Sequence, residues 1–154
     1  METQSDQNPA PEEQLTDEYR MVAMFSHLSI FFGNLILPLI FWLIYREKSK
    51  FAAFHAMQSL IFHIAYFVLM VFVVLAAAIV IMLSGLGGSH PSPQNALQIV
   101  TILFLGIFVL GYIFGSIGYA VYLAIRSYKG DMKKYPVIGN IVYKKIYGII
   151  KNNA

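Results

Sequence analysis

Three histidines, His27, His55 and His63, are the side chains best suited to acid–base or ligand chemistry within the apolar parts of this chain. A neutral imidazole can bind haem iron or a metal ion, and it can equally form hydrogen bonds between helices. His55 and His63 are eight residues apart, about 12 Å along one helix, so they cannot share a metal ion. His27 and His63 are expected at similar depths on neighbouring helices, where they could hold a haem or form hydrogen bonds that fix the packing.

Carboxylate, thiol and, apart from histidine, basic groups are missing from the apolar sequence, and its serines lie in no recognisable nucleophile motif. Residues 51–125 contain no Asp, Glu, Lys or Arg, and the chain has no cysteine. An ion-coupled pump, an intramembrane aspartic protease and an H-E-x-x-H metalloprotease all need carboxylates there. We therefore predict that the chain is not an enzyme and has no bound cofactor or metal. Polar contacts between helices are predicted instead at His27, Asn34, His55, Gln58 and His63.

The composition indicates what kind of elements must position these groups. Of the 154 residues, 58% are hydrophobic and 12% are charged, about half the charge of an ordinary soluble domain. This excludes a soluble enzyme domain, a coiled coil and a disordered protein. It also excludes most nucleic-acid binders, although the net charge is +3, because the few basic residues sit beside apolar runs. The class that remains is a small multi-pass membrane protein.

Three apolar stretches are each long enough to cross a bilayer, which takes about 20 residues. The predicted fold is an all-α integral membrane protein with three transmembrane helices at about 21–45, 52–83 and 97–125, followed by a C-terminal amphipathic helix. Residues 1–15 are predicted to be a disordered acidic tail, and Thr16 is predicted to cap the first helix. The domains are then the tail 1–15, a membrane domain 16–128 and a surface helix within 129–154.

Charge asymmetry predicts the orientation. The loop after the first stretch carries a net charge of +2, the tail after the third carries +6, and residues 84–96 contain no Lys or Arg. The positive-inside rule places the first loop and the C-terminus in the cytoplasm. Three spans then put the N-terminus outside. The predicted location is the inner (plasma) membrane.

Gly33 and Pro38 predict a kink in the first transmembrane helix, since proline removes a helical hydrogen bond and glycine weakens the same turn. Such a kink can expose backbone groups to a substrate, as in transporters with broken helices. It can also serve packing alone, which is the interpretation we favour.

Small residues in the third stretch predict close helix packing. Gly111 and Gly115 form a G-x-x-x-G pair, and Gly118 lies one turn further on. Such a seam lets two helix backbones approach closely. Its partner could be another helix of the same chain or a second subunit.

The C-terminal tail predicts a basic amphipathic helix on the cytoplasmic membrane surface. Its isoleucines and valine recur at helical spacing, and its lysines can pair with anionic lipid headgroups. The basic residues expected at this surface are Arg46, Lys48, Lys50, Lys133, Lys134, Lys144 and Lys145.

Several short motifs occur together in a familiar order, and the resemblance covers about residues 19–147. Taken together, they resemble a large bacterial family of small membrane proteins of unknown function. That family is described as similar to the twenty-kilodalton subunit of the Tic import translocon in the chloroplast inner envelope. The resemblance implies a helical membrane protein and, through the translocon, a role in moving polypeptides. The motifs are HLS at 27–29, PLIFWLI at 38–44, FHAMQSL at 54–60 and YPVIG at 135–139.

Two functions are weighed on these features. The first is a non-catalytic scaffold or accessory subunit of a larger membrane assembly, with other subunits or copies of itself as partners and with no nucleic acid. The alternative is a polypeptide-translocation or transport pore built by oligomers, since three spans cannot enclose a pore alone. An intramembrane haem protein is a third interpretation and rests on His27 and His63.

Overall fold

The computed structural model describes residues 14–32, 35–83 and 93–148, and every regular element in these ranges is helical. This confirms the predicted all-α class. The described elements are α1 at Asp17–Leu28, a 3₁₀ helix at Ser29–Phe32, α2 at Ile36–Tyr45, α3 at Lys50–Leu83, α4 at Pro93–Tyr128 and α5 at Ile138–Tyr147.

Helix α1 is capped as the sequence predicts. The Tyr19 amide donates to Oγ1 of Thr16 at 3.3 Å, and Asp17 and Glu18 lie in the first turn. The first amides of a helix have no partner within it, so a side-chain acceptor and nearby carboxylates both stabilise that end.

The first apolar stretch, residues 21–45, folds back on itself. The Tyr45 hydroxyl donates to Glu18 at 2.7 Å, and the Tyr19 and Tyr45 rings meet edge to face at 6.1 Å. The start of α1 and the end of α2 therefore lie side by side. With 12 and 10 residues, these helices are about 18 and 15 Å long, and neither covers a hydrocarbon core of about 30 Å. The transmembrane helix predicted at residues 21–45 is not confirmed, and neither is the count of three.

Serine and proline accompany the reversal of this α1–α2 hairpin. The hydroxyls of Ser26 and Ser29 donate to the carbonyls of Val22 and Ser26, both at 2.7 Å, and such bonds compete with helix geometry. Pro38 lies in the first turn of α2, where a missing amide costs no helical hydrogen bond. Pro38 therefore helps to begin a second helix and does not kink a continuous one, which corrects the prediction.

Two other predicted residues of this region, Gly33 and Asn34, lie outside the described residues.

In the described ranges, two helices are long and apolar enough to cross a membrane, with candidate spans at Lys50–Val80 and Ile99–Tyr128. The helices that contain them have 34 and 36 residues, about 51 and 54 Å. Each therefore exceeds the hydrocarbon core by well over ten residues. These spans agree in position with the second and third predicted ones.

Burial divides each long helix into two parts. Along α3, His63 is 5% exposed and Phe67 is 61% exposed; along α4, Phe114 is 69% exposed and Leu123 is fully buried. Helices α1, α2 and α5 pack around the buried parts. We call this assembly the bundle and the exposed parts, residues 64–80 of α3 and 99–118 of α4, the arms. Large apolar side chains are exposed along the arms, and such a surface requires lipid or another protein around it.

Helix α5 returns along the start of α3. Val142 is fully buried, and Tyr143 and Tyr147 meet the Phe54 ring edge to face at 6.0 and 6.4 Å. Ile141 on the opposite face is 61% exposed. The sequence predicts an amphipathic helix here, and the helix is present. Its predicted continuation through Lys151 lies beyond residue 148, outside the described part of the chain.

Candidate functional site: a buried polar core

His27 and His55 join the end of α1 to the start of α3. Nε2 of His27 lies 3.0 Å from Nδ1 of His55, and both side chains are fully buried. The predicted pairing of His27 with His63 is therefore wrong. That prediction assumed that residues 21–45 enter from the opposite side of the membrane. Because they form a hairpin, α1 starts at the same end as α3, and His27 reaches the earlier histidine.

His63 and the serines of α1 and α3 make a second set of links. Oγ of Ser29 lies 3.4 Å from Nδ1 of His63, and the Ser59 hydroxyl donates to the Ser26 carbonyl. All of these side chains are buried. Breaking a hydrogen bond between buried groups is costly, so these links favour one register of α1 and the following 3₁₀ helix on α3.

Gln58 holds the segment between α4 and α5, residues 129–137. The Tyr135 amide donates to Oε1 of Gln58 at 3.0 Å, and Nε2 of Gln58 donates to the Lys133 carbonyl at 3.2 Å. The Tyr135 ring stacks on Phe62 at 4.0 Å and is 2% exposed. One side chain of α3 thus satisfies two backbone groups of a segment about 75 residues away in sequence.

A hydrogen-bonded chain connects this segment to the histidines. The Tyr135 hydroxyl lies 3.4 Å from Nδ1 of His27. Burial raises the pKa of the Tyr135 phenol, so the hydroxyl stays protonated and can donate to that nitrogen. In the tautomer of His27 that carries its proton on Nε2, the bonds run from Tyr135 to His27 and from His27 to His55. We call His27, His55, Gln58 and Tyr135 the polar core.

The polar core can orient helices and hold protons on its ring nitrogens. Among the residues that the structure describes, no group of three or more His, Asp or Glu is arranged to hold a metal ion. What the geometry does directly is to join three segments of the bundle, α1, α3 and residues 129–137.

Replacing Gln58 by Leu is expected to lower the free energy of unfolding by about 2 kcal/mol. Leucine is close in size, but it leaves the Tyr135 amide and the Lys133 carbonyl buried without partners, and each such group is costly. The measurement is chemical unfolding of the full chain in mixed micelles.

Ser127→Ala is the matched control for this substitution. Ser127 is also fully buried, but its hydroxyl donates only within α4, to the Ala124 carbonyl at 2.9 Å. Its removal should cost less than 1 kcal/mol. Equal losses in the two variants would contradict the role assigned to Gln58.

The predicted glycine seam on α4 faces open space. A Cβ added to Gly111, Gly115 or Gly118 would meet nothing within 4 Å, and the same holds for Gly106. The described part of this chain therefore supplies no helix that packs on the seam. Of the two predicted partners, a helix of the same chain is not found there.

The predicted basic residues lie in or beside the bundle and not along the arms. Arg46 and Lys48 are exposed in the turn between α2 and α3, and Arg46 pairs with the neighbouring Glu47 at 3.5 Å. Lys134 places its ammonium 3.9 Å from the centre of the Tyr143 ring. The remaining predicted basic residues are Lys50, Lys133, Lys144 and Lys145, of which the last three are exposed.

Tyr135 and the serines of the bundle are not among the site residues predicted from the sequence. The serines carry a usable signal, because Ser26 and Ser29 lie one turn apart, on either side of His27, in a stretch, residues 21–32, whose other residues are apolar. Tyr135 carries none, since nothing in a tail of mixed composition indicates that one tyrosine inserts between helices.

Comparison with known proteins identifies the family. A family sequence model, that of the MamF/MmsF magnetosome magnetite crystal formation proteins, matches residues 18–142. No curated protein and no solved structure matches the chain. The match overturns the resemblance to the Tic-like family of unknown function, whose quoted motifs are short and mostly apolar. Because the matched range runs from α1 into α5 and takes in most of the chain, this protein belongs to the MamF/MmsF magnetosome magnetite crystal formation family.

Proposed function

We propose that the chain is a non-catalytic, membrane-embedded accessory protein of magnetite crystal formation. The observation that carries this proposal is the family match, which takes in the bundle and both long helices. The role is an organising one, exerted through the fold. The buried histidines, Gln58 and Tyr135 support it because their hydrogen bonds connect segments of the protein to one another.

The arrangement in the membrane that we propose has two spans. The arms of α3 and α4 cross the bilayer, and the α1–α2 hairpin enters and leaves from the bundle side. Phe32, near the tip of the hairpin, is 79% exposed and would lie among the acyl chains. The basic residues flank the bundle end, so the positive-inside rule puts that end in the cytoplasm. Both ends of the described chain then lie on the cytoplasmic side, in place of the outside N-terminus expected from three spans.

Two surfaces are offered to partners in this arrangement. The exposed lysines of α5 and of residues 129–137 would lie among anionic headgroups, each contributing about 1 kcal/mol near the surface. The apolar arms, with the open glycine seam, would face lipid, other subunits or further copies of the chain. The family match gives no support to the translocation-pore alternative.

Complementation tests the proposed function. A magnetite-forming bacterium that lacks its own family member is given this chain, and crystal number and size are measured by electron microscopy. We expect crystals closer to those of the unmodified strain. If the chain is present in the membrane fraction and the crystals stay as in the deletion strain, the proposed function is wrong.

A substitution at His63 tests the non-catalytic part of the proposal. Asn can keep the hydrogen bond to Ser29, because its side-chain amide lies close to the position of Nδ1, but it cannot act as an acid, a base or a haem ligand. His63→Asn should support crystal formation as well as the parent chain does. Loss of crystals with an intact, membrane-inserted variant would indicate chemistry at the imidazole.

A further inference from the structure

A cleft of about 520 Å³ lies where the bundle meets the arms. It is bounded by α3, α4 and the segment before α5, and Tyr135 is the one member of the polar core that lines it. The residues that shape it are Phe62, Gly111, Tyr112, Gly115, Tyr119 and Tyr135.

The shape of the cleft is that of a slot between aromatic walls. The stacked rings of Phe62 and Tyr135, 4.0 Å apart and 9° from parallel, close it on the bundle side. Tyr66 and Tyr112 stack across α3 and α4 at 5.1 Å. On the α4 side the cleft reaches the helix backbone, because Gly111 and Gly115 carry no side chain and a Cβ added to either would meet nothing within 4 Å. A slender apolar group can therefore lie against the helix backbone.

The position of the cleft along α3 and α4 indicates what surrounds it. Along α3 it lies at Phe62, where side chains change from buried to exposed within a few residues, from His63 at 5% to Phe67 at 61%. Along α4 it reaches into the arm, whose large side chains are exposed. In a bilayer this site would open sideways into the acyl-chain region of the leaflet that contains the bundle.

The charge beside the cleft is positive. Lys133 and Lys134 directly precede Tyr135, and the Tyr119 hydroxyl donates to the Lys134 carbonyl at 3.3 Å, which holds that backbone at the edge of the cleft. The one acidic residue in this segment, Asp131, is paired with Arg126 at 2.8 Å. The exposed Lys133 is thus available to a negative group.

We propose that the cleft holds one acyl chain of an anionic phospholipid, whose phosphate lies against Lys133, while Lys134, whose ammonium lies over the Tyr143 ring, adds positive charge nearby. The volume is comparable with that of a single fatty acyl chain. The cleft cannot enclose a helix from a second copy, because two turns of a helix about 10 Å across occupy roughly 850 Å³, more than the cleft contains, so such a helix would lie across its mouth and leave it unfilled. The lysines add a preference for negative headgroups.

Lipid retention by the intact chain tests this proposal. The full chain is purified in a gentle detergent with equal amounts of phosphatidylglycerol and phosphatidylcholine of the same acyl chains, and bound lipid is counted by native mass spectrometry. We expect one retained lipid per chain, with phosphatidylglycerol at least fivefold preferred. In the double variant Lys133→Gln and Lys134→Gln, that preference should fall to near equality.

Two glycine substitutions separate the cleft from the rest of α4. Gly115→Leu fills the cleft and should reduce retained lipid at least tenfold, whereas Gly106→Leu, an equally open glycine outside the cleft lining, should not. Both variants add a side chain to open space, so both should fold, and circular dichroism checks this. Equal retention in the two variants would overturn the proposal. So would a loss of dimers in Gly115→Leu with lipid unchanged, which would assign the cleft to a second copy.

Discussion

A cysteine introduced at Gln14 is expected to react with a membrane-impermeant maleimide from the same side of the membrane as a cysteine at Lys48, and from that side alone. The chain has no cysteine of its own, so each variant carries a single thiol. Tyr45 bonds to Glu18, and a Cβ on Gly130 would lie 3.2 Å from the Leu15 side chain. Residues just before α1 therefore lie on the bundle side of the membrane. Labelling of the cysteine at position 14 should be complete from that side and absent from the other.

Two further single-cysteine variants calibrate this labelling experiment. Lys133→Cys should be labelled from the bundle side, and Ser92→Cys, between α3 and α4 in the sequence, from the other side. Labelling of Gln14→Cys from the side that reaches Ser92→Cys would mean that residues 21–45 cross the membrane as a third span. The α1–α2 hairpin would then be wrong.

Replacing Gly139 by Ala is expected to destabilise the protein by about 3 kcal/mol, although alanine is the better helix former by about 1 kcal/mol. Gly139 is buried in the first turns of α5, where an added Cβ would lie 2.6 Å from Oε1 of Gln58 and would overlap Lys134. The neighbouring backbone cannot easily shift, because Gln58 and Tyr119 both bond to it. Unfolding in mixed micelles measures the loss.

Gly148→Ala is the control for helix propensity. Gly148 lies at the end of α5 with φ −76° and nothing within 4 Å of an added Cβ. Alanine there should leave the stability unchanged or raise it slightly. If Gly139→Ala is equally harmless, α5 does not pack on Gln58 as closely as described.

The long helices and the surface helix are predictable because their signals are local. Charge-free apolar runs set the length of α3 and α4, the isoleucine and valine spacing indicates α5, and Thr16 followed by two acids indicates the start of α1. Each of these depends on neighbours within a few turns of the same helix.

The hairpin is harder to predict because residues 21–45 satisfy the length rule for one span as well as they fill two short helices. The choice is decided by contacts distant in sequence, such as Tyr45 with Glu18 and His27 with His55. The pairing error at His27 follows from that single choice. Pro38 predicts a break in the helix, but a break alone does not indicate whether the chain continues in the same direction or turns back.

The uneven distribution of helices across the membrane has a mechanical consequence. In the proposed arrangement, the bundle and the hairpin widen the protein in one leaflet, whereas two of the described helices cross the other. Such a protein fits best in a small vesicle when its wider part, the bundle, lies in the outer leaflet, because curvature expands that leaflet. With the bundle facing the cytoplasm, the protein would favour a membrane that bulges towards the cytoplasm. We expect a higher surface density on small vesicles than on large ones of the same lipid composition, and equal densities would contradict this consequence.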